Sequence, residues 1–178
     1  MYKSYYNSPI GRIIILSDGV NVTGLFFDSS RFIDKVNRVD ALIDDSLEIF
    51  SLTSKWLDRY FRGERPNPLE VPVKLVGSSF SMDVWEELEK IPYGSTITYG
   101  DIAKRIAKKR GIKNMSSQAV GHAVGHNPVS IIIPCLRVVG LGGNLTGYGG
   151  GIDKKVSLLK LDGVDIDKYF IPKRGNAL

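Results

Sequence analysis

The run Gly63-Glu64-Arg65-Pro66-Asn67-Pro68 interrupts any regular element, because glycine loosens the backbone while proline locks φ and removes a donor. It constrains the fold more than any other feature, since the hydrophobic pattern differs on its two sides. Before it, 11–16 is rich in isoleucine, Asp18-Gly19 reads as a turn, and 20–27 returns as a second strand. Residues 31–37 read as a further short strand. The stretch 46–61 reads as an amphipathic helix with Leu47, Phe50, Leu57 and Phe61 on one side. After the break, Phe80, Val84, Leu88 and Ile91 recur at helical spacing until Pro92-Tyr93-Gly94 stops them. The expected fold class is α+β: a small N-terminal α/β domain with an antiparallel sheet, then a helical C-terminal domain. The expected division is 1–76, linker included, and 77–178.

Thr98 and Asp101 have the spacing of a capping box that opens a helix over 99–109, and a second short helix follows over 116–125. Two helices joined by a turn containing Gly111 suggest a helix-turn-helix, though the turn is longer than usual. Ile131-Ile132-Ile133 reads as a buried extended run ending at Pro134-Cys135, and 156–161 as a last helix. The first helix of the pair carries Lys104, Arg105, Lys108, Lys109 and Arg110. By default that is a solvated face; beside a groove-binding helix it becomes a phosphate-contacting patch. The net charge of +5 suits a polyanionic partner. The N-terminal residues lack the apolar core of a signal peptide, and no apolar run is long enough for a bilayer. With only one cysteine no intrachain disulfide forms, so the expected location is the cytoplasm, with no membrane partner.

Two readings of Cys135 stand side by side. A lone cysteine usually behaves as a small buried hydrophobe. Here it closes an apolar run, Arg137 follows two positions later, and glycines crowd 140–151. A nearby cation favours a thiolate, and a thiolate is a strong nucleophile. The helix over 116–125 is equally ambiguous. Gln118, Gly121, His122 and Gly125 share one face. That nearly smooth side fits either a DNA groove or a tight helix–helix contact. His122 and His126, spaced i, i+4, are the only histidines, and no metal site is expected.

The stretch from Asn127 through Pro134-Cys135-Leu136-Arg137-Val138-Val139-Gly140 resembles the signature of the O6-alkylguanine-DNA alkyltransferases, also called methylated-DNA–protein-cysteine methyltransferases. The likeness extends to Ile91-Pro92-Tyr93-Gly94, Tyr99, Ala119-Val120-Gly121 and Thr146-Gly147-Tyr148. It is strong over roughly 80–163 and general before that. It implies a ribonuclease-H-like N-terminal domain and a helix-turn-helix that binds the minor groove of double-stranded DNA carrying O6-alkylguanine. The damaged nucleotide is flipped out and its alkyl group moves irreversibly to the cysteine, without a cofactor, in a monomer. Cys135 matches the acceptor. Tyr99 matches the tyrosine that turns the phosphate, and Asn127 the asparagine joining recognition helix and active-site strand. Val138, Gly147, Tyr148, Gly149 and Gly150 match the base pocket, with Tyr148 donating a hydrogen bond to the base. Ser116, Gln118, Ala119, Gly121 and His122 match the DNA-facing helix, with Gln118 where many members place an arginine that fills the vacated stack.

Two positions depart from that pattern. The family reads Pro-Cys-His-Arg, and here Leu136 replaces a histidine that relays the thiol proton. The glutamate of that relay is Asp162, one methylene shorter. Leucine can neither accept nor pass a proton, which implies a weakened supply of thiolate. Leu136 therefore favours an alternative, a binder that recognises the lesion without transferring its alkyl group, while Cys135 favours the transferase. A transcription regulator is a third reading, for which the chain offers no dimerisation helix or ligand domain.

Overall fold

The structure is a computed structural model that describes residues 1–172; residues 173–178, expected in the second domain, lie outside the described residues. The chain forms two compact units, Met1–Leu75 with Pro128–Ile132, and Val76–Asn127 with Ile133 onward.

The first unit is built on β1 (Tyr2–Ser8), β2 (Gly11–Ser17) and β3 (Val22–Phe27), an antiparallel meander. After α1 (Ile33–Asn37), β4 (Leu42–Ile43) adds beside β1 in parallel, giving the order β3-β2-β1-β4. The sheet is therefore mixed rather than wholly antiparallel. Ile13, Ile14, Ile15 and Leu16 of β2 are all buried, as expected of a central strand covered on both faces. Helix α2 (Glu48–Phe61) buries Ile49, Phe50, Thr53, Trp56, Leu57 and Tyr60 at helical spacing. The opposite side of β2 explains why 31–37 is a helix and not the expected strand. Val36 packs with Ile14 and Leu16, and Phe32, Ile33 and Val39 join them. That i, i+3 pairing of Ile33 with Val36 needs a helical turn.

The free edge of β3 is clasped twice. The amide of Val22 donates to Pro72 O (2.8 Å) and that of Lys74 to Val22 O (2.9 Å). Farther along, Leu25 N donates to Pro128 O (2.8 Å) and Ser130 N to Leu25 O (3.0 Å). These bonds satisfy groups that an open edge would leave exposed to other strands.

In the second unit, α3 (Ser79–Glu89), α4 (Tyr99–Arg110) and α5 (Ser117–Gly125) pack together. Ser78 caps α3 by accepting from Ser81 N at 3.1 Å. Thr98 caps α4, accepting from Asp101 N (3.0 Å) and donating to the Asp101 carboxylate (2.7 Å). Gly111 ends α4 with φ +65, a left-handed conformation that glycine adopts without a Cβ penalty. Trp85 donates its indole N–H to Ala123 O (2.9 Å), fixing α3 on α5. Strands β5 (Ile97–Thr98) and β6 (Val138–Val139) pair in parallel, and α6 (Ile152–Asp162) closes the unit.

The basic side of α4 is less free than its sequence suggests. Lys109 bridges Asp83 (2.7 Å) and Glu86 (2.6 Å), Arg110 holds Asp83 (2.6 Å), and Arg105 reaches Glu87 (3.4 Å). Three of the five cations thus face carboxylates of α3.

Candidate functional site

The expected extended run 131–133 is in fact two tight reversals. Ile132 N donates to Ser130 O (2.9 Å) around Ile131, whose φ is +72. Cys135 N then donates to Ile133 O (2.8 Å) around Pro134, at φ −82 and ψ 61. Both are γ-turns; the second is the relaxed inverse form, the first the rare strained one. A β-branched residue at positive φ is a genuine outlier, held only where its surroundings over-determine it. Apolar composition alone suggests a strand here, and only the backbone reveals the bends.

The turns deliver Cys135 to the start of the 3-10 turn Cys135–Arg137, where it is 7% exposed. The buried Asn127, just beyond α5, donates through Nδ2 to Ile133 O (2.8 Å). The carbonyl that fixes the cysteine turn is thereby tied to the end of that helix. Val138 follows in β6 opposite Ile97, one pair before Thr98, so the sheet sets Tyr99 at the head of α4 beside this segment. The Tyr99 hydroxyl points at Thr146 O (3.4 Å) and Gly147 O (3.5 Å), both long contacts. A Cβ on Gly121 would stand 3.7 Å from the Tyr99 ring, so Gly121 packs against that ring. Val138 and Tyr148 are buried, while Gly147, Gly149 and Gly150 are half-buried around them.

On α5, Gln118 and His122 are exposed, Ala119 and Gly121 half-buried, and Ser116 caps the helix by accepting from Ala119 N (3.3 Å). The His122 and His126 rings lie 4.1 Å apart, and His126 Nδ1 is 2.8 Å from His122 O. Among the described residues no group of three or more potential metal ligands is present.

Arg137 and Asp162 pair with each other. Arg137 Nε donates to Asp162 Oδ2 (2.6 Å), its Nη1 to Ile91 O (2.6 Å), and its guanidinium lies 4.1 Å from the centre of the Tyr93 ring. The side chains are 3% and 0% exposed. A cation so compensated has little field left for Cys135. Leu136 is fully buried beside it.

Sequence reasoning missed Lys155. It is 0% exposed, and its amine donates to Val138 O (2.6 Å) and Thr146 O (2.7 Å). Burial pushes its pKa down to about 8, and the charge of Cys135 pulls it the other way. The signal was present: Lys155, Leu158, Leu159 and Asp162 form one buried stripe at i, i+3, i+4, i+7. A lysine on the core side of a helix is rarely there by chance.

Residues 79–164 match the profile described as "6-O-methylguanine DNA methyltransferase, DNA binding domain", and residues 1–75 match its "ribonuclease-like domain". The methylated-DNA–protein-cysteine methyltransferase of Haemophilus influenzae is 39% identical over 169 residues, 94% of this chain and 90% of that protein. The protein of that name from Mycolicibacterium paratuberculosis is 46% identical over 157 residues, 88% of each. A crystal structure of Mycobacterium tuberculosis OGT in complex with DNA superimposes with a TM-score of 0.80 at 36% identity, covering 95% of both chains. With family profiles over both units and relatives along most of its length, the chain belongs to the methylated-DNA–protein-cysteine methyltransferase family.

Proposed function

We propose that this chain repairs alkylated DNA directly, moving the alkyl group of O6-alkylguanine onto Sγ of Cys135 once per molecule. The observation that carries the reading is the mounting of Cys135, a lone cysteine delivered by two γ-turns and tied through Asn127 to the end of α5. A thiolate lone pair forms the S–C bond. The C–O6 bonding pair stays with the guanine oxygen, and guanine takes up the proton the thiol lost. The displacement balances without a cofactor, and the thioether does not return the group.

A cysteine only 7% exposed cannot meet a base inside an intact duplex, so the nucleotide must leave the stack. In this reading α4, its turn and α5 act as a helix-turn-helix, and the face of Ser116, Gln118, Ala119, Gly121 and His122 lies in the minor groove. Gln118 fills the gap left by the flipped nucleotide, and Tyr99 helps turn its phosphate. Val138, Gly147, Tyr148, Gly149 and Gly150 wall the base pocket. Lys104, paired only with Asp101 of its own helix, and Lys108, both outside the α3 ion-pair network, are the α4 cations left for phosphate. Arg137 and Asp162 brace the cysteine turn from behind. One copy carries every group named, so a monomer suffices, and a cytoplasmic location keeps the single thiol reduced.

Intact mass after incubation with methylated duplex tests the reading. The wild type gains one methyl group, mapped to Cys135, and Cys135→Ser gains none while still binding DNA. A wild type that binds the lesion and transfers nothing overturns the reading in favour of lesion binding alone.

A further inference from the structure

Position 136 holds leucine rather than histidine, and Arg137 pairs with Asp162. Among the described residues the second unit has one other buried cation, Lys155, held on the strand that follows the cysteine turn. Lys155 is completely buried, and among the described residues its amine has no carboxylate partner. Its two recorded acceptors are backbone carbonyls of the segments that bear the site. Val138 O lies three residues past Cys135, and Thr146 O is also faced by the Tyr99 hydroxyl. Carbonyl acceptors orient an ammonium without neutralising it. A buried ammonium lacking an anion is costly, and a nearby thiolate relieves that cost.

We infer that Lys155 is the positioning residue that holds Cys135 as a thiolate, taking the part that a histidine at 136 would play. The thiol proton passes to the amine, directly or through a water, giving an ammonium–thiolate pair. Sulfur then displaces guanine from the alkyl carbon, and the guanine anion takes a proton back as the thioether forms. The amine, its anion gone, gives that proton up readily. Interaction between the two charges is reciprocal: the amine lowers the thiol pKa by as much as the thiolate raises the amine's. This agrees with the opposing influences of burial and Cys135 on Lys155. Among the described residues the other buried ionisable side chains of this unit are Glu87, paired with Lys90 and Arg105, Arg137 and Asp162, paired with each other, and Tyr148.

The inference rests on the alkyl-transfer reading for its rate measurement, so thiolate formation is followed separately. Iodoacetamide modification of Cys135 and single-turnover transfer from methylated duplex are each measured against pH. The wild type is expected to show a thiol inflection at least one unit below the ordinary value of about 8.5. Lys155→Met is expected to raise that inflection by one unit or more. Its transfer then falls about tenfold at neutral pH and recovers as pH rises, whereas Lys155→Arg keeps the low inflection. A merely structural lysine would lower both rates equally at every pH, and that result overturns the inference.

Should Lys155→Met not fold, the wild type itself carries the test. The ζ-nitrogen resonance of Lys155, titrated before and after methylation of Cys135 by methyl iodide, must show a lower midpoint once the thioether forms; an unchanged midpoint overturns it. If Lys155 governs the thiol inflection but no methyl is transferred from DNA, the lysine assignment stands and the repair reading fails. Transfer with a thiol inflection indifferent to Lys155 has the reverse meaning.

Discussion

Removing the Asp162 carboxylate separates a bracing role from a catalytic one. Asp162 and Arg137 are 0% and 3% exposed and joined at 2.6 Å, while Arg137 also holds Ile91 O and covers the Tyr93 ring. Asp162→Ala leaves the guanidinium buried without its anion, and breaking such a pair from one side costs about 3–5 kcal/mol. For a chain of this length that is a fall in Tm of roughly 6–20 °C. Replacing both members by apolar residues, Arg137→Met with Asp162→Leu, should recover most of the loss, because no charge is then stranded. Urea denaturation followed through Trp85, in a Trp56→Phe background, reports on the second unit alone. Single-turnover transfer is measured on the same samples and divided by the folded fraction. If Asp162 braces the turn, transfer per folded molecule stays within a few-fold of wild type. A loss of stability below about 1 kcal/mol, or a large fall in transfer per folded molecule at intact stability, refutes the bracing role and returns Asp162 to the chemistry.

Gln118→Ala should slow repair in duplex DNA far more than reaction with free O6-benzylguanine, since the free base needs no unstacking; equal losses on the two substrates would refute the stack-filling role. Leu136 is fully buried and the nearby Asp162 is engaged by Arg137, so Leu136→His should cost about 1–3 kcal/mol and leave neutral-pH transfer within a few-fold. A tenfold faster transfer would show that a proton relay is easily rebuilt there. Lys155 should also leave a mark on stability. Its pKa is about 8 when folded against about 10.5 when unfolded, so the unfolded chain binds the extra proton across that window. A cost of about 3 kcal/mol is therefore present below pH 8 and disappears as pH rises toward 10.5. The stability gap between wild type and Lys155→Met, measured by denaturation at successive pH values, should change by that amount across the window and not below it.

The parts of this molecule legible in its sequence are those fixed by local rules. The capping geometry of Thr98 with Asp101 and the αL stop at Gly111 follow from residue type and spacing alone, whereas on α2 Phe50 and Leu57 are buried as expected but Leu47 and Phe61 are only half-buried and Ile49, Trp56 and Tyr60 fill the core. Strand β1 escaped notice because its run Tyr-Lys-Ser-Tyr-Tyr-Asn-Ser has little aliphatic character, and its pairing with β2 decides the matter. Residues 31–37 have strand-like composition, yet Ile33 and Val36 become helical to reach Ile14 and Leu16. At the site, Cys135, Tyr99 and Asn127 stood out by motif. The partnership of Arg137 with Asp162 joins residues 25 positions apart, and no local rule foresees it. Lys155 was invisible because lysine is ordinarily read as surface, and only its place in the stripe of α6 marks it as core.

The double clasp on β3 has a consequence for synthesis. Its second half, residues 128–130, leaves the ribosome well after Leu75, the last residue of the contiguous part of that unit. At about 5–20 residues per second the interval is several seconds. During it the nascent first unit has Leu25 N and O unpaired at the strand edge, open to any other extended chain. Cutting the gene at the profile boundary after residue 75 would make that interval permanent. Such a fragment should aggregate unless a peptide carrying residues 128–132 is supplied in trans, and fusing that segment to its end should restore it.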